Sequence, residues 1–368
     1  MKPRLTYFVS HPIQYQAPLL RRISGDPSID LQVIFEKDFS TDSHFDHGFQ
    51  TEIRWDVPLR DGYNNSLLID TDVEDLIRES DAIWLHGWES LNFRKILYRA
   101  SQLGKPVLMR GENWSAAPPE GSGLRKVIKR IYLNKIFENC SAFLTIGTRN
   151  RDYYLAHGVS PKILFDMPYA VDNLFFSTRA NAESANVVRA SLGVGSDRKI
   201  ILFAGKFTKR KNPQFVLAAW KALIEQMSQQ PLLIFVGDGE MRTELELNSP
   251  KDVVFTGFLN QTSLPAYYAA ADVFVLMSEM EPWGLAINEA MASGTAVIAS
   301  DQCGAAYDLI DDDTGRMVEV GNQPAFMKAL LEVLSDTEEM GKAAKKKISL
   351  WDFEADMTGL KSAIESIL

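Results

Sequence analysis

The sequence has few of the features that mark secreted, membrane-spanning or nucleic-acid-binding proteins. Its 368 residues include only two cysteines, Cys140 and Cys303, which are far apart and lack metal-ligand spacing, so we expect a reducing compartment and no disulfide framework. No apolar run approaches the roughly 20 residues of a membrane span, and the run near the N-terminus is too short for a signal peptide. The net charge of −9 argues against general nucleic-acid binding. We therefore expect a cytoplasmic protein.

The chain instead has the composition and length of a globular protein with two domains. Hydrophobic residues make up 46% and charged residues 24% of it. Short apolar runs alternate with helical patterns, and most runs are continuously apolar, as strands buried on both faces of a parallel sheet are. This predicts an α/β protein with two Rossmann-like, doubly wound parallel sheets. The predicted strands are Leu5–Val9, Leu31–Phe35, Ala82–His86, Val107–Arg110, Phe143–Ile146, Ile163–Met167, Ile200–Ala204, Leu232–Val236, Val253–Thr256, Val273–Met277 and Ala296–Ala299.

A polar segment separates two series of strands. Residues 173–197 are rich in Ser, Ala and Asn and are predicted to form a linker between domains at 1–172 and 198–350. The last helix, 351–368, follows a basic run and could pack back on the first domain.

Ligands of such sheets bind beyond the carboxyl ends of the strands, so the loops there carry the functional prediction. The first loop of the second domain reads GKFTKRKNP from Gly205 to Pro213, and Asn212 can cap the helix that follows. Four cations at a helix N-terminus are unfavourable unless an anion binds, and phosphate is the obvious anion. The spacing alone leaves open a solvated turn with outward-pointing lysines.

The next loop, VGDGE, contains Gly237 and Gly239 but has Arg242 where a dinucleotide fingerprint has its third glycine. These glycines are more readily explained by a turn or by close approach of a ligand to the backbone than by NAD binding.

The third loop carries two glutamates in the stretch EPWGLAINEAMASG. Pro282 and Gly284 place Glu281 in a turn, so the amides that open the following helix would have free N–H groups for an oxygen-rich ligand. Glu289 lies inside the helix, where a carboxylate facing a cleft can accept hydrogen bonds from two adjacent sugar hydroxyls. The alternative is that Glu289 is an ordinary surface residue.

These motifs, followed by VIASD, resemble those of the retaining glycosyltransferases of family 4, which have the GT-B fold. The likeness covers roughly residues 198–335 in the family's motif order and extends weakly to the segment YAVD that begins at Tyr169. It implies two Rossmann-like domains facing across a cleft, and a metal-independent, retaining hexosyltransferase that needs no cofactor. The donor would be a nucleotide sugar, UDP- or GDP-linked. The acceptor would be a sugar, glycolipid or small molecule in polysaccharide, glycolipid or cell-envelope biosynthesis.

The resemblance also assigns residues. Lys206, at a position usually held by Arg, and Lys211 would neutralise the diphosphate. Glu281 would hold the sugar, Glu289 the ribose, and the backbone near Phe258 and Leu259 the base. The predicted donor-binding residues are Gly205, Gly237, Phe258, Leu259, Pro282, Trp283, Gly284, Leu285, Glu289 and Gly304.

The first domain departs further from the family pattern, because its first loop, SHPIQYQ, lacks the usual glycine pair. Glu112, in the loop VLMRGENW, is a candidate to orient or deprotonate the acceptor hydroxyl, which makes the predicted catalytic set Lys206, Lys211, Glu281 and Glu112. Tryptophans in the cleft-type loops could stack on a sugar or could belong to the core. The acceptor-side candidates are His11, Gln14, His86, Trp88, Arg110, Asn113 and Trp114.

Residues 124–137 form a basic amphipathic pattern, which suits either peripheral contact with an anionic membrane or an ordinary helix with a solvated face. Two alternatives to an enzyme of this family stay open from the sequence. One is a non-catalytic sugar-nucleotide or glycan-binding protein of the same fold, and the other is an NAD-dependent oxidoreductase.

Overall fold

The computed structural model describes residues 2–114 and 123–368 and divides into two compact units. Unit 1 comprises Met1–Ser43, Val57–Tyr169 and Phe353–Leu368, and unit 2 comprises His44–Asp56 and Ala170–Asp352. Unit 2 therefore includes a short piece of the first half of the chain, and unit 1 includes the last helix.

Unit 1 is built on a seven-stranded sheet in which all neighbouring strands are parallel, with the order β5-β2-β1-β6-β7-β8-β9. The strands are β1 (Arg4–Val9), β2 (Asp30–Phe35), β5 (Asn65–Leu67), β6 (Ala82–His86), β7 (Val107–Arg110), β8 (Ala142–Thr145) and β9 (Leu164–Asp166). The helices are α1 (Gln16–Ser24), α2 (Val73–Glu79), α3 (Leu91–Gln102), α4 (Leu124–Phe137), α5 (Thr148–Ala156) and α15 (Phe353–Ile367).

The sheet of unit 1 is buried on both faces. Along β1, Leu5, Tyr7 and Val9 belong to one core cluster and Phe8 to another, because successive side chains of a strand point to opposite faces. The first cluster also contains Leu360 and neighbouring apolar residues of α15, so the last helix covers one face of this sheet.

Unit 2 contains a six-stranded parallel sheet with the order β12-β11-β10-β13-β14-β15 and a separate antiparallel hairpin, β3-β4. The strands are β3 (His44–Asp46), β4 (Thr51–Ile53), β10 (Ile200–Ala204), β11 (Leu232–Val236), β12 (Val253–Gly257), β13 (Val273–Leu276), β14 (Ala296–Ser300) and β15 (Gly315–Val318). The helices are α6 (Asn173–Arg179), α7 (Ala182–Ser191), α8 (Pro213–Ile224), α9 (Arg242–Leu247), α10 (Leu264–Ala270), α11 (Leu285–Ala292), α12 (Ala306–Leu309), α13 (Gln323–Ser335) and α14 (Thr337–Ile348).

The predicted α/β class with two parallel sheets is confirmed, and each predicted strand corresponds to an observed one within one or two residues at either end. The prediction missed the edge strands β5 and β15 and the hairpin β3-β4, which are only three or four residues long. Edge strands and hairpins are partly solvated, so they lack the continuous apolar run that reveals a central strand.

The segment predicted as a linker forms two helices, α6 and α7, in unit 2. Asp172 caps α6 by accepting a hydrogen bond from the amide of Phe175 at 2.9 Å. Asn181 and Ser184 cap α7 through reciprocal side-chain bonds, and α7 then packs against α10. The polar composition of residues 173–197 therefore reflects the capping residues and solvated faces of two helices.

Candidate active site

The loops of unit 2 that were predicted to bind the donor follow β10, β11 and β13, which are neighbours in the centre of the sheet. From β10 the chain proceeds to β11 and β12 on one side, and then crosses to β13 on the other. Such a reversal of direction creates a crevice at the carboxyl ends of the strands, where ligands of α/β sheets bind. Lys206, Lys211 and Glu281 all lie in the loops at this reversal.

Glycines let the backbones of the first two loops touch. Gly205 and Gly237 both have positive φ angles, of 155° and 130°. A Cβ atom on Gly237 would lie 1.9 Å from the carbonyl oxygen of Gly205, so no other residue fits there. The observed contact of Gly237 is therefore with the protein's own backbone.

Lys211 and Glu281 form an ion pair between the loops after β10 and β13. The ammonium of Lys211 donates a hydrogen bond to Oε2 of Glu281, and the guanidinium of Arg210 lies 3.4 Å from the same oxygen. The side chains of Lys211 and Glu281 are only 14% and 11% exposed, so little solvent screens the pair. The solvated-turn interpretation does not describe Lys211.

The prediction that Asn212 caps α8 is wrong. Asn212 adopts a left-handed conformation with φ 56° and its side chain makes no capping hydrogen bond. Asparagine tolerates this conformation better than most residues, and here it ends the 3₁₀ turn Lys209–Lys211 and starts α8 at Pro213.

Lys206 contacts a residue from the hairpin. Its ammonium lies 2.9 and 3.0 Å from the two carboxylate oxygens of Asp46 and 4.9 Å from the centre of the Phe49 ring. Burial acts to raise the pKa of the Asp46 carboxyl, but the hydrogen bonds from Lys206 and from the Phe49 amide outweigh it, and the net pKa is lowered.

The start of α11 is shaped by close backbone contacts. Gly284 has a φ of 103° and directly precedes the helix. The amide of Gly304 donates to the carbonyl of Glu281 at 3.0 Å, and a Cβ on Gly304 would lie 2.2 Å from the carbonyl oxygen of Pro282. Gly304 thus supports the turn that holds Glu281 and Pro282.

The ring of Trp283 belongs to the packing of unit 2. It is buried, stacks on Trp351 with ring centres 5.6 Å apart, and donates from Nε1 to the Asn288 side chain at 2.9 Å. A donor-binding role for Trp283 would therefore involve its backbone. Leu285, the first residue of α11, is half-buried.

Glu289 is not an ordinary surface residue. Its side chain is half-buried and accepts a hydrogen bond from the Tyr268 hydroxyl at 2.8 Å. Burial raises the pKa of the Glu289 carboxyl to about 7, against the opposing effects of the Tyr268 hydrogen bond and the charge of Lys211. A carboxylate in such a position gains from additional hydrogen-bond donors, which a pair of sugar hydroxyls would supply.

Phe258 and Leu259 follow β12 and are half-buried. The segment His44–Asp56, which contains the β3-β4 hairpin, supplies two aromatic rings that pack edge-on against Phe258. The ring of Phe49 lies 4.9 Å and that of Trp55 5.8 Å from it, measured between ring centres. The loop predicted to contact the base is therefore in contact with the hairpin.

Unit 1 has its own polar cluster around Glu112. Oε1 of Glu112 accepts a hydrogen bond from the Tyr169 hydroxyl and lies 3.4 Å from the Tyr15 hydroxyl and 3.9 Å from Nε2 of His86. Nδ1 of His86 is 2.8 Å from the hydroxyl of Tyr7. Burial acts to raise the pKa of the Glu112 carboxyl, but the nearby His86 ring and the hydrogen bonds from Tyr169 and Tyr15 outweigh it. The net pKa is lowered, so the group is ionised at neutral pH.

Sequence reasoning found Glu112 and His86 but missed the three tyrosines. Tyr7 lies inside strand β1, Tyr15 lies in the first loop, SHPIQYQ, and Tyr169 begins the segment YAVD. An aromatic residue in an apolar run is usually part of the core, so no local signal distinguished them.

The remaining acceptor-side candidates in the loops after β6 and β7 are mostly packed inside unit 1. Trp88 is buried and meets Phe137 edge-on at 5.2 Å, which favours the core interpretation. Trp114 is also buried, and the Arg149 guanidinium lies 5.1 Å from its ring centre. The carbonyl of Asn113 accepts a hydrogen bond from the Asn150 side chain at 2.6 Å.

Arg110 is buried at the end of β7. Its guanidinium donates to Oδ1 of Asp356 in α15 at 3.0 Å and to the carbonyls of Met167 and Pro168, and it stacks on Tyr169. The positive charge of Arg110 is therefore neutralised by Asp356 and satisfied by backbone carbonyls within unit 1.

His11 and Gln14 precede α1. His11 stacks on Phe39 with ring centres 4.5 Å apart, and its Nδ1 lies 2.9 Å from the Ser10 hydroxyl, while Gln14 is half-buried.

The two parallel Rossmann-like sheets define a protein of the GT-B fold class. The fold is similar to that of HepE of Anabaena, solved in complex with UDP, with a TM-score of 0.73 covering 99% of this chain and 100% of that one, at 17% identity. At this identity the likeness shows the fold alone.

Residues 185–348 match the family of glycosyl transferases, group 1, which confirms the predicted resemblance of the second domain to glycosyltransferases of that group. Over 204 residues the chain is 33% identical to an uncharacterized glycosyltransferase of Methanocaldococcus jannaschii, covering 54% of this chain and 48% of that one. It is 30% identical over 167 residues to the lipopolysaccharide core biosynthesis glycosyltransferase LpsE of Rhizobium meliloti, covering 44% and 46%. The chain spans about half the length of the curated relatives it matches.

No helix within residues 2–114 and 123–368 is both long enough and apolar enough to cross a bilayer.

Proposed function

We propose that this protein is a retaining glycosyltransferase that moves a hexose from a nucleotide-sugar donor to a hydroxyl acceptor. The observation that carries the proposal is the meeting of Lys211 and Glu281 at the strand reversal of unit 2, within the segment that matches group 1 glycosyl transferases. The cation of Lys211 suits the negatively charged diphosphate of such a donor, and the carboxylate of Glu281 suits the hydroxyl groups of its sugar.

The proposed chemistry depends on charge. Breaking the bond between the sugar and the diphosphate leaves an oxocarbenium-like sugar and a leaving group whose negative charge grows. Lys206 and Lys211 would bind that charge more strongly in the transition state than in the ground state, and so lower the barrier. Because side chains supply this positive charge, we propose that the reaction requires no metal ion.

The other residues would position the donor and the acceptor. Glu281 and the amides at the start of α11 would hold the sugar hydroxyls, and Glu289 would hold the ribose. In unit 1, the ionised Glu112 would orient the acceptor hydroxyl or accept its proton. For retention, we propose that the acceptor attacks from the side of the leaving group, with a phosphate oxygen assisting proton removal, so no enzyme nucleophile is needed.

The donor is proposed to be UDP- or GDP-linked, supported by the UDP complex of HepE. The acceptor is proposed to belong to polysaccharide, glycolipid or cell-envelope biosynthesis. Among the relatives, LpsE is named for lipopolysaccharide core biosynthesis, and another, of Streptococcus pneumoniae, is named an alpha-monoglucosyldiacylglycerol synthase.

The test is to incubate the purified full chain with UDP- and GDP-linked hexoses and to measure release of the nucleoside diphosphate. We expect slow hydrolysis of one donor that falls strongly in Lys211→Ala. The matched control is Lys209→Ala, an exposed lysine of the same loop. Tight binding without any turnover would support a binding protein instead, and absence of both would refute the proposal.

We also propose that α4 rests on the cytoplasmic face of an anionic membrane. Val127, Ile128 and Ile131 are 53%, 58% and 59% exposed, beside the exposed cations Lys129 and Arg130. Exposed apolar side chains flanked by cations suit the boundary between lipid headgroups and acyl chains.

Sedimentation with vesicles would test this placement. We expect binding to phosphatidylglycerol vesicles, less to phosphatidylcholine vesicles, and a loss of binding in Ile128→Asp/Ile131→Asp. Equal binding by this variant and the natural chain would exclude α4 as the contact.

A further inference from the structure

The hairpin β3-β4 is the part of unit 2 that comes from the first half of the chain. Its strands pair antiparallel, with Phe45 opposite Glu52, and the chain before His44 and after Asp56 belongs to unit 1. None of the predicted site residues lies in it, yet it contacts two of the predicted donor-binding elements.

At one end, the hairpin presents a carboxylate to Lys206. Both oxygens of Asp46 are within 3.0 Å of the Lys206 ammonium, and one of them also accepts from the amides of Gly48 and Phe49 at 2.7 and 2.9 Å. The Asp46 side chain is 17% exposed. Four hydrogen bonds from three donor groups, the Lys206 ammonium and two backbone amides, fix this poorly solvated carboxylate in a well-defined ion pair.

At the other end, the hairpin is attached to the loop after β12. The Asn260 side chain donates to the Arg54 carbonyl at 2.7 Å. A carboxylate oxygen of Asp56 accepts from both the amide and the hydroxyl of Thr262. Together with the packing of Phe49 and Trp55 on Phe258, these bonds hold Asp46 in position.

We propose that Asp46 competes with the donor's diphosphate for Lys206, and thereby weakens nucleotide binding and speeds release of the nucleoside diphosphate. The inference rests on the proposed function, because it requires the diphosphate to bind at Lys206. A phosphate that approaches this ammonium also approaches the Asp46 carboxylate, and like charges a few ångströms apart repel each other.

This competition is useful to a transferase whose product keeps the whole diphosphate. Cations that stabilise the leaving group also hold the product after reaction, so turnover slows if nothing opposes them. An internal carboxylate replaces the departing diphosphate on Lys206 and leaves the ammonium paired.

The opposite interpretation is that Lys206 only fastens the hairpin to unit 2. The two interpretations predict different changes in nucleotide affinity when Asp46 is neutralised. If Asp46 competes with the diphosphate, neutralising it strengthens nucleotide binding. If the ion pair only attaches the hairpin to unit 2, neutralising Asp46 loosens the hairpin and leaves nucleotide binding unchanged or weaker.

Calorimetric titration of UDP and GDP into the full chain and its Asp46→Asn variant separates them. Asparagine keeps the oxygen that accepts from the Gly48 and Phe49 amides but removes the charge. We expect Asp46→Asn to lower the Kd roughly tenfold, as removal of one nearby like charge in a partly solvated site would. Glu52 is an exposed carboxylate of the same hairpin, and the control variant Glu52→Gln should leave the Kd unchanged.

Asp46→Ser is the second variant, because its hydroxyl can also accept from the turn amides, and it should tighten binding in the same direction. Unchanged or weaker binding in both variants, or loss of folding in both by thermal melting, would overturn the proposal. Suppose that the natural chain binds nucleotide, that Lys211→Ala weakens this binding, and that Asp46→Asn leaves it unchanged. In that case the inference about Asp46 fails while the proposed function stands. If the natural chain binds neither nucleotide, the proposed donor assignment fails with it.

Discussion

Lys211 donates a hydrogen bond to Glu281 across the loops that follow β10 and β13, and the two side chains are 14% and 11% exposed. The pair joins residues 70 positions apart in the chain at the reversal of the sheet. A pair this well shielded stabilises the fold only while both partners are present, since either charge alone is costly to bury.

Replacing one partner should therefore cost more stability than replacing both. We expect Lys211→Met to lower the free energy of unfolding of the protein by roughly 3 kcal/mol, because Glu281 then keeps only the more exposed Arg210 guanidinium, 3.4 Å away, as an ionic partner. Lys211→Met/Glu281→Gln should recover most of that loss. Urea denaturation of the two variants and the natural chain measures this, and equal losses in both variants would show that the pair is not coupled.

The same variants separate stability from activity. Both should reduce turnover by on the order of 100-fold or more, because the second replacement restores folding but not the positive charge that the leaving group needs. Steady-state rates with the donor identified by the hydrolysis test would show this. Near-normal rates in Lys211→Met/Glu281→Gln would remove both residues from the mechanism.

Glu289 should contribute directly to nucleotide affinity. We expect Glu289→Ala to weaken binding of the free nucleoside diphosphate by roughly 10- to 100-fold, because two hydrogen bonds from ribose hydroxyls to a charged acceptor are lost. Calorimetry measures the Kd. Glu279→Ala is the matched control, an exposed glutamate in the loop after β13. An equal Kd for Glu289→Ala and the natural chain would contradict the ribose role.

The raised pKa of Glu289, about 7, also predicts a pH-dependent stability. Because the folded-state pKa exceeds the unfolded value, the folded protein prefers the protonated carboxyl, and this contribution is lost as pH rises from about 4.5 to about 7. Glu289→Gln imitates the protonated form. It should be more stable than the natural chain by about 3 kcal/mol at pH 8, and about equally stable at pH 4.5.

Denaturation at these two pH values is the measurement. A constant difference between the variant and the natural chain across the range would mean that Glu289 titrates normally.

Activity should survive a chelator. The negative charge of the proposed leaving group is met by Lys206 and Lys211, so the proposed mechanism needs no metal ion. We expect rates in EDTA equal to those without it. Abolition by EDTA, with recovery on adding Mg²⁺ or Mn²⁺, would require a different mechanism.

The Arg110–Asp356 pair should secure α15 to unit 1. The two side chains are 2% and 0% exposed, so Asp356→Ala should lower the free energy of unfolding by about 3–5 kcal/mol. Replacing the pair together, as Arg110→Met/Asp356→Leu, should cost much less. If Arg110 instead contacts the acceptor, this double variant would fold well but lose transfer to the acceptor, with donor hydrolysis retained.

Sequence reasoning located the central strands of both sheets and the turn that precedes α11. It succeeded there because a strand buried on both faces is continuously apolar, and because Gly284 and Pro282 mark a turn before a helix. It also singled out Lys211, Glu281 and Glu289, which lie in or just after loops at the carboxyl ends of strands, and the resemblance to glycosyltransferases joined them in one hypothesis.

It failed where the partner of a residue lies far away in the chain. Nothing local in the segment from His44 to Asp56 indicates that it joins unit 2, or that Asp46 meets Lys206 across 160 positions. Trp88 and Trp114 had two interpretations from sequence, and only their burial favours packing.

The sequence by itself determined the class of the protein, the positions of its buried strands and the order of its loop motifs, because those depend on short-range periodicity and turn chemistry. Only the tertiary structure decided which charges meet: Lys206 with Asp46, Lys211 with Glu281, Arg110 with Asp356. Electrostatic pairing depends on distance in space and on shielding from water, and neither quantity is written in the spacing of residues along the chain.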